Sequence, residues 1–135
     1  MKIFKTEENV ATVVSLIKNA KEFVVIVSPF NQLKGWNELI QAINEAKANG
    51  IEVCYYVREG EGMNGLEDIQ ATVFEVPLLH AKMFFSEKEA VLSSGNLTNK
   101  PDFNWTCVLD KKEDYNEVVD FFGSYIKPLA VPFNN

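Results

Sequence analysis

The spacing of apolar residues changes period several times along the chain, and each change marks an element. Val10, Val13, Val14 and Ile17 follow the i, i+3, i+4, i+7 rule, which predicts a helix over residues 7–20. Thr6 is a candidate N-cap, with Glu7 and Glu8 in the first turn, where the helix dipole favours acids. Residues 23–28 (F-V-V-I-V-S) form a continuous β-branched run ended by Pro29, the pattern of a strand covered on both faces. Leu39, Ile40, Ile43 and Ala46 predict a second amphipathic helix over 37–48, stopped by Gly50. A second strand follows at 51–57. Strand, helix and strand joined by short links predict a βαβ crossover and a parallel pair.

The second half reads differently. Residues 58–65 (R-E-G-E-G-M-N-G) hold three glycines and predict a loop, which lacks the G-K-[ST] ending of a phosphate-binding P-loop. A short helical turn is expected at 66–70. Strands are expected at 72–76, 80–86, 89–94 and 104–110, with 80–86 and 89–94 close enough to form a hairpin. Tyr115, Val118, Val119, Phe122 and Ile126 predict a closing helix over 113–126, stopped by Pro128 and Pro132. Together these elements predict one α/β domain over residues 1–135, a mixed central sheet with helices on both faces.

Composition agrees with a folded domain and narrows its partners. With 47% apolar residues and ten Phe, the chain can fill one core. The net charge of −6 argues against broad electrostatic gripping of duplex nucleic acid. It leaves room for a small positive pocket. Cys54 and Cys107 stand in apolar runs and read as buried thiols rather than metal or redox ligands. The N-terminus has no apolar signal core, and no apolar run approaches the roughly 20 residues of a membrane span. A soluble, cytoplasmic protein is expected, with no cofactor and no metal.

Candidate chemistry gathers between residues 80 and 98. His80 is the single histidine of the chain, and Lys82 follows two residues later. On a strand the two would share a face, about 6 to 7 Å apart along its length. The next strand leads into Ser93-Ser94-Gly95-Asn96, small polar groups that can offer hydroxyl, amide and backbone donors to an anion. A hairpin would return Ser94 and Asn96 toward His80 and Lys82, with Glu87 at the far tip. Taken singly, each residue has a plainer reading: a hydrogen-bonded structural histidine, a surface lysine, turn-forming Ser and Asn.

His80, Lys82, Glu87 and the Ser93-Ser94-Gly95-Asn96-Leu97-Thr98 element resemble, in order, the H-x-K, acid and G-S-x-N signature of the phospholipase D superfamily. Nearly the whole chain resembles one repeat of that fold. The resemblance implies phosphodiester cleavage through a covalent phosphohistidine on His80, without a metal. It assigns His80, Lys82 and Asn96 to catalysis, Lys82, Ser94 and Asn96 to the substrate phosphate, and Glu87 to a structural, orienting role. The family uses two H-x-K elements per site, so a chain with one is expected to form a homodimer across the site. A nuclease acting on nucleic-acid phosphodiesters is the implied activity; a lipid headgroup or another phosphodiester is also open. Three departures stand out: Glu87 in place of Asp, a serine element with Ser93 for Gly that comes one residue early, and no carboxylate about ten residues past Asn96 to hold the histidine. Thr106 or Cys107 stands there, with Asp102 nearby. The last two departures support a second reading, a weakly active or inactive module used for dimerisation or anion binding.

Overall fold

The computed structural model describes residues 1–62, 65–98 and 104–133, without the side chains of residues 4 and 6–10. The side-chain expectations for Glu7, Glu8 and Val10 fall outside that description. An eight-stranded mixed sheet runs through the molecule. Its strands are β1 (Lys2–Lys5), β2 (Phe23–Val27), β4 (Glu52–Arg58), β5 (Thr72–Val76), β6 (Met83–Ser86), β7 (Ala90–Ser93), β9 (Trp105–Leu109) and β10 (Val131–Pro132). Their spatial order is β1-β9-β7-β6-β2-β4-β5-β10. β2, β4 and β5 are mutually parallel, and β6, β7, β9 and β1 continue the sheet antiparallel. A two-stranded parallel pair, β3 (Asn31–Gln32) with β8 (Leu97–Thr98), lies apart from the main sheet.

Alternation along the central strands divides the core. Val24, Ile26, Val53, Tyr55, Phe84 and Val91 face α1 (Thr6–Asn19) and α2 (Asn37–Ala48). Val25, Val27, Tyr56, Met83, Phe85, Cys107 and Leu109 face α3 (Lys112–Phe121) and the turns that follow it. Helices therefore cover both faces, and the unbroken apolar run of β2 is explained by burial on each side. Cys107 is buried, Cys54 is half-buried, and both are free thiols. Among the described residues no helix is long and apolar enough to cross a membrane.

Several boundaries differ from expectation. β1 runs straight into α1, so Lys5, not Thr6, is the extended residue at the N-cap position. The closing helix keeps α geometry only to Phe121, then widens into a π-helical turn (Phe122–Ile126) and a 3-10 turn (Lys127–Leu129) containing Pro128. The largest change concerns the strand expected over 80–86, which begins only at Met83. Its two neighbours run out there. β2 ends with Val27 opposite Met83, two residues before Pro29, and β7 ends at Ser93, whose N–H bonds the Lys82 carbonyl. Residues 80–82 therefore emerge from the sheet as an approach segment without ladder partners on both sides.

A buried polar network fixes the loop after β2. The Tyr55 hydroxyl donates to Asn31 Oδ1, and Asn31 Nδ2 donates to the Ser28 carbonyl at 2.7 Å. Ser28 Oγ accepts the Leu97 N–H at 2.9 Å, tying this loop to the segment after β7. Burial pushes the Tyr55 phenol well above its ordinary pKa, so it stays a donor. Tyr55→Phe keeps the ring but orphans Asn31 Oδ1. We expect a loss of about 1–3 kcal/mol, a fall in melting temperature of roughly 4–10 °C by calorimetry.

Candidate active site

The segment that carries His80 is delivered by a tight turn at Pro77 and Leu78. Leu78 adopts φ 57°, the left-handed region, on an exposed side chain. A leucine there costs roughly 1 kcal/mol, so the turn must be held from elsewhere. One holding contact comes from Arg58 at the end of β4, whose Nη1 donates to the Leu79 carbonyl at 3.3 Å.

His80 is exposed, and its ring meets two groups. Its Nδ1 lies 3.3 Å from Lys82 Nζ. Its ring packs edge-on against Phe30, with centroids 6.4 Å apart. The expectation that residues 80 and 82 share a face therefore holds in an approach segment rather than in a strand. Burial lowers the Lys82 pKa from its ordinary value. A charged ammonium can only donate, so in this pose Nδ1 accepts and the ring proton resides on Nε2.

Asn96 reaches the same place through Phe30. Its Oδ1 accepts the Phe30 N–H at 3.2 Å. That bond fixes the amide orientation and leaves the NH2 as the group available to a ligand. Ser94 is more constrained. Its hydroxyl donates to Asn104 Oδ1 at 3.2 Å and accepts the Trp105 N–H at 3.0 Å. A phosphate would have to take that hydrogen from Asn104. Ser93 is similarly engaged, donating to the Trp105 carbonyl at 3.0 Å.

Asn104 is the residue that sequence reasoning passed over. Thr106 is fully buried opposite Ser93, with the two hydroxyls 3.4 Å apart, and Cys107 faces the α3 side of the core. Asn104 instead lies against Gly95 so closely that a Cβ there would stand 2.7 Å from its Cγ. Its amide thus touches the serine element at Gly95 and Ser94, while Thr106 touches it at Ser93. An amide in a stretch where the resemblance implies an acid carries no sequence signal of its own. Asp102 lies outside the described residues.

Glu87 stands at the opposite end of the β6–β7 hairpin from His80. Its carboxylate accepts the backbone N–H groups of Lys21, Glu22 and Phe23 at 2.8, 3.1 and 3.3 Å. It reaches no residue of the His80 cluster in these bonds. Beside that cluster, an apolar groove of about 790 Å³ opens between the sheet and α3, lined by Met83, Leu92, Trp105, Leu109 and Phe121 and bordered by Lys82 and Ser93. Trp105 and Phe121 are nearly half exposed there.

No family model matches the chain, and no curated protein matches it by sequence. Solved structures do match by fold. A phospholipase D family member, Nuc from Salmonella typhimurium, superposes with a TM-score of 0.77 at 14% identity, covering 99% of this chain and 97% of that one. NucT from Helicobacter pylori gives 0.76 at 15% identity, with 98% and 100% covered. Phosphatidylserine synthase from Haemophilus influenzae gives 0.77 at 16% identity, where this chain is 96% covered and spans 38% of the other. The chain has a phospholipase D-like fold, as its H-x-K and S-S-G-N elements led us to expect.

Proposed function

We propose that the protein is a metal-independent phosphodiesterase, a nuclease cleaving nucleic-acid phosphodiesters through a phosphohistidine on His80, with one site shared across a homodimer. The observation that carries this reading is the meeting of an exposed imidazole with the Lys82 ammonium and the Phe30 ring, together with the Asn96 amide that holds the Phe30 N–H. Imidazole, ammonium and amide are an attacking group, a cation and a neutral donor, the set that charge development on a phosphoryl group requires.

A phosphate oxygen draws Lys82 Nζ away from His80, so exchange with water can place the ring proton on Nδ1 and leave Nε2 free to attack. The Nε2–P bond forms as the P–O bond to the leaving group breaks. That oxygen takes a proton from the second copy of His80, which enters the step as an imidazolium and is left as the neutral ring. Water then attacks phosphorus, gives its proton back to the second ring, and the N–P bond breaks with its electron pair returning to His80. Lys82 and Asn96 stabilise the equatorial oxygens, and Ser94 joins them by exchanging Asn104 for a phosphate oxygen. Glu87 has no part in these steps and is assigned a structural role.

Two further points support the shared site. One chain supplies one imidazole, while the mechanism uses two. The apolar groove at Lys82 and Ser93 runs on from the site, and a second copy brought there by a twofold axis would cover Trp105 and Phe121. The neutral Asn104, which holds Ser94 in the stretch where the resemblance implies a carboxylate, favours the other reading, an inactive module that keeps the fold for dimerisation or anion binding. Incubation of purified protein with single-stranded DNA and with bis(p-nitrophenyl) phosphate in excess EDTA separates the two. Cleavage undiminished by EDTA is the expected result. Binding without cleavage of either substrate would leave the inactive module standing.

A further inference from the structure

Arg58 is the sole arginine among the 13 basic residues of this acidic chain. It ends β4, on the edge of the parallel strands where open α/β sheets hold ligands. Its guanidinium lies 5.7 Å from the centre of the Phe30 ring, the same ring that packs against His80. Its one hydrogen bond among the described residues goes to the Leu79 carbonyl, next to His80 in sequence. No described carboxylate pairs with it. A guanidinium carries five N–H donors in a planar fork suited to phosphate, so most of its capacity is unused. Leaving a cation half-buried and unpaired is costly unless an anion completes it.

We infer that Arg58 binds a second phosphate of the substrate, next along the strand from the one cleaved at His80. Phe30 separates the two positions. Lys82 and Asn96 serve the scissile phosphate, and the guanidinium, already stacked on Phe30, takes the neighbouring one. The substrate class is therefore a chain of phosphodiesters at nucleotide spacing, not an isolated diester. This rests on the phosphodiesterase reading for the role of His80, yet it makes a separate demand on binding.

The test uses trithymidylate, which has two charged linkages, against its two analogues in which one linkage is an uncharged methylphosphonate. Affinities are measured by calorimetry on His80→Ala protein, so that no probe is consumed. The second charge is expected to tighten binding by about tenfold or more. Adding Arg58→Gln is expected to reduce that gain to less than about twofold, and Arg58→Lys to keep part of it, since the charge stays and the fork is lost. A gain that survives Arg58→Gln overturns the inference. So does an equal loss for the singly charged analogues, which would put Arg58 on the scissile phosphate or in a purely structural role. If Arg58→Gln does not fold, the Arg58→Lys comparison decides: a reduced gain supports the inference and an undiminished one overturns it. Turnover of trithymidylate by the unaltered protein is scored separately. An Arg58-dependent gain without turnover would sink the proposed activity and leave this site; turnover without the gain would do the reverse.

Discussion

Replacing His80 by alanine is expected to lower phosphodiester turnover by at least about a thousandfold, because the substitution removes both the attacking nitrogen and the proton donor. The fold should not suffer. Among the described residues His80 is exposed and makes only a contact with Lys82 and an edge-on packing with Phe30, so the melting temperature should stay within about 2 °C of the parent. The same substitution tests the shared site. In dimers refolded from mixed chains, those with two intact rings scale as the square of the intact fraction. An equal mixture should then show roughly a quarter of the parent activity. Half the parent activity would mean that each chain works alone. Turnover unaffected by His80→Ala would sink the catalytic assignment altogether.

The sequence was most informative where one physical effect dominates. The β-branched run of β2 and the apolar run of β4 are buried on both faces, and helix periodicity at Leu39, Ile43 and Ala46 matches the buried side of α2. Those elements were read almost to the residue. β1, β3, β8 and β10 went unseen because they are two to four residues long and exist through their partners, such as Cys107 opposite Ile3. The site divides along the same line. His80, Lys82, Ser94 and Asn96 were visible because residue type and interval signal together. Asn104, Phe30 and Arg58 were not, since each joins the cluster through a fold-level approach. Asn104 meets Gly95 from the residue before β9, Phe30 comes from the loop just after β2, and Arg58 from the end of β4. No spacing rule links residues 30, 58 and 80; the parallel strand ends do.

Glu87 connects the legible part of the motif to the fold, and its removal should be the largest stability effect away from the core. Its carboxylate holds three backbone N–H groups just ahead of β2, from the turn that joins β6 to β7. It thereby pins the pairing of Val24 with Ser86, and so the register along which β6 presents the approach segment beside Phe30. A slip of one residue would turn His80 and Lys82 to the other face. Charge-assisted bonds of this kind, partly open to water, contribute about 2 kcal/mol together, so Glu87→Ala should lower the melting temperature by roughly 7 °C, and Glu87→Gln by about half as much. Burial pushes the Glu87 carboxyl up, but the N–H groups of Lys21, Glu22 and Phe23 outweigh it and hold the pKa below the ordinary 4.5. A carboxylate depressed on folding stabilises fully above its unfolded value and loses that contribution as pH falls through the folded one. The gap in melting temperature between the parent and Glu87→Gln should therefore be constant from neutral pH to about pH 5 and close below the ordinary glutamate range. A gap that persists unchanged in acid would show that the bonds to β2 do not depend on the charge, and the register would then have to be held by packing of Phe84 and Phe85 alone.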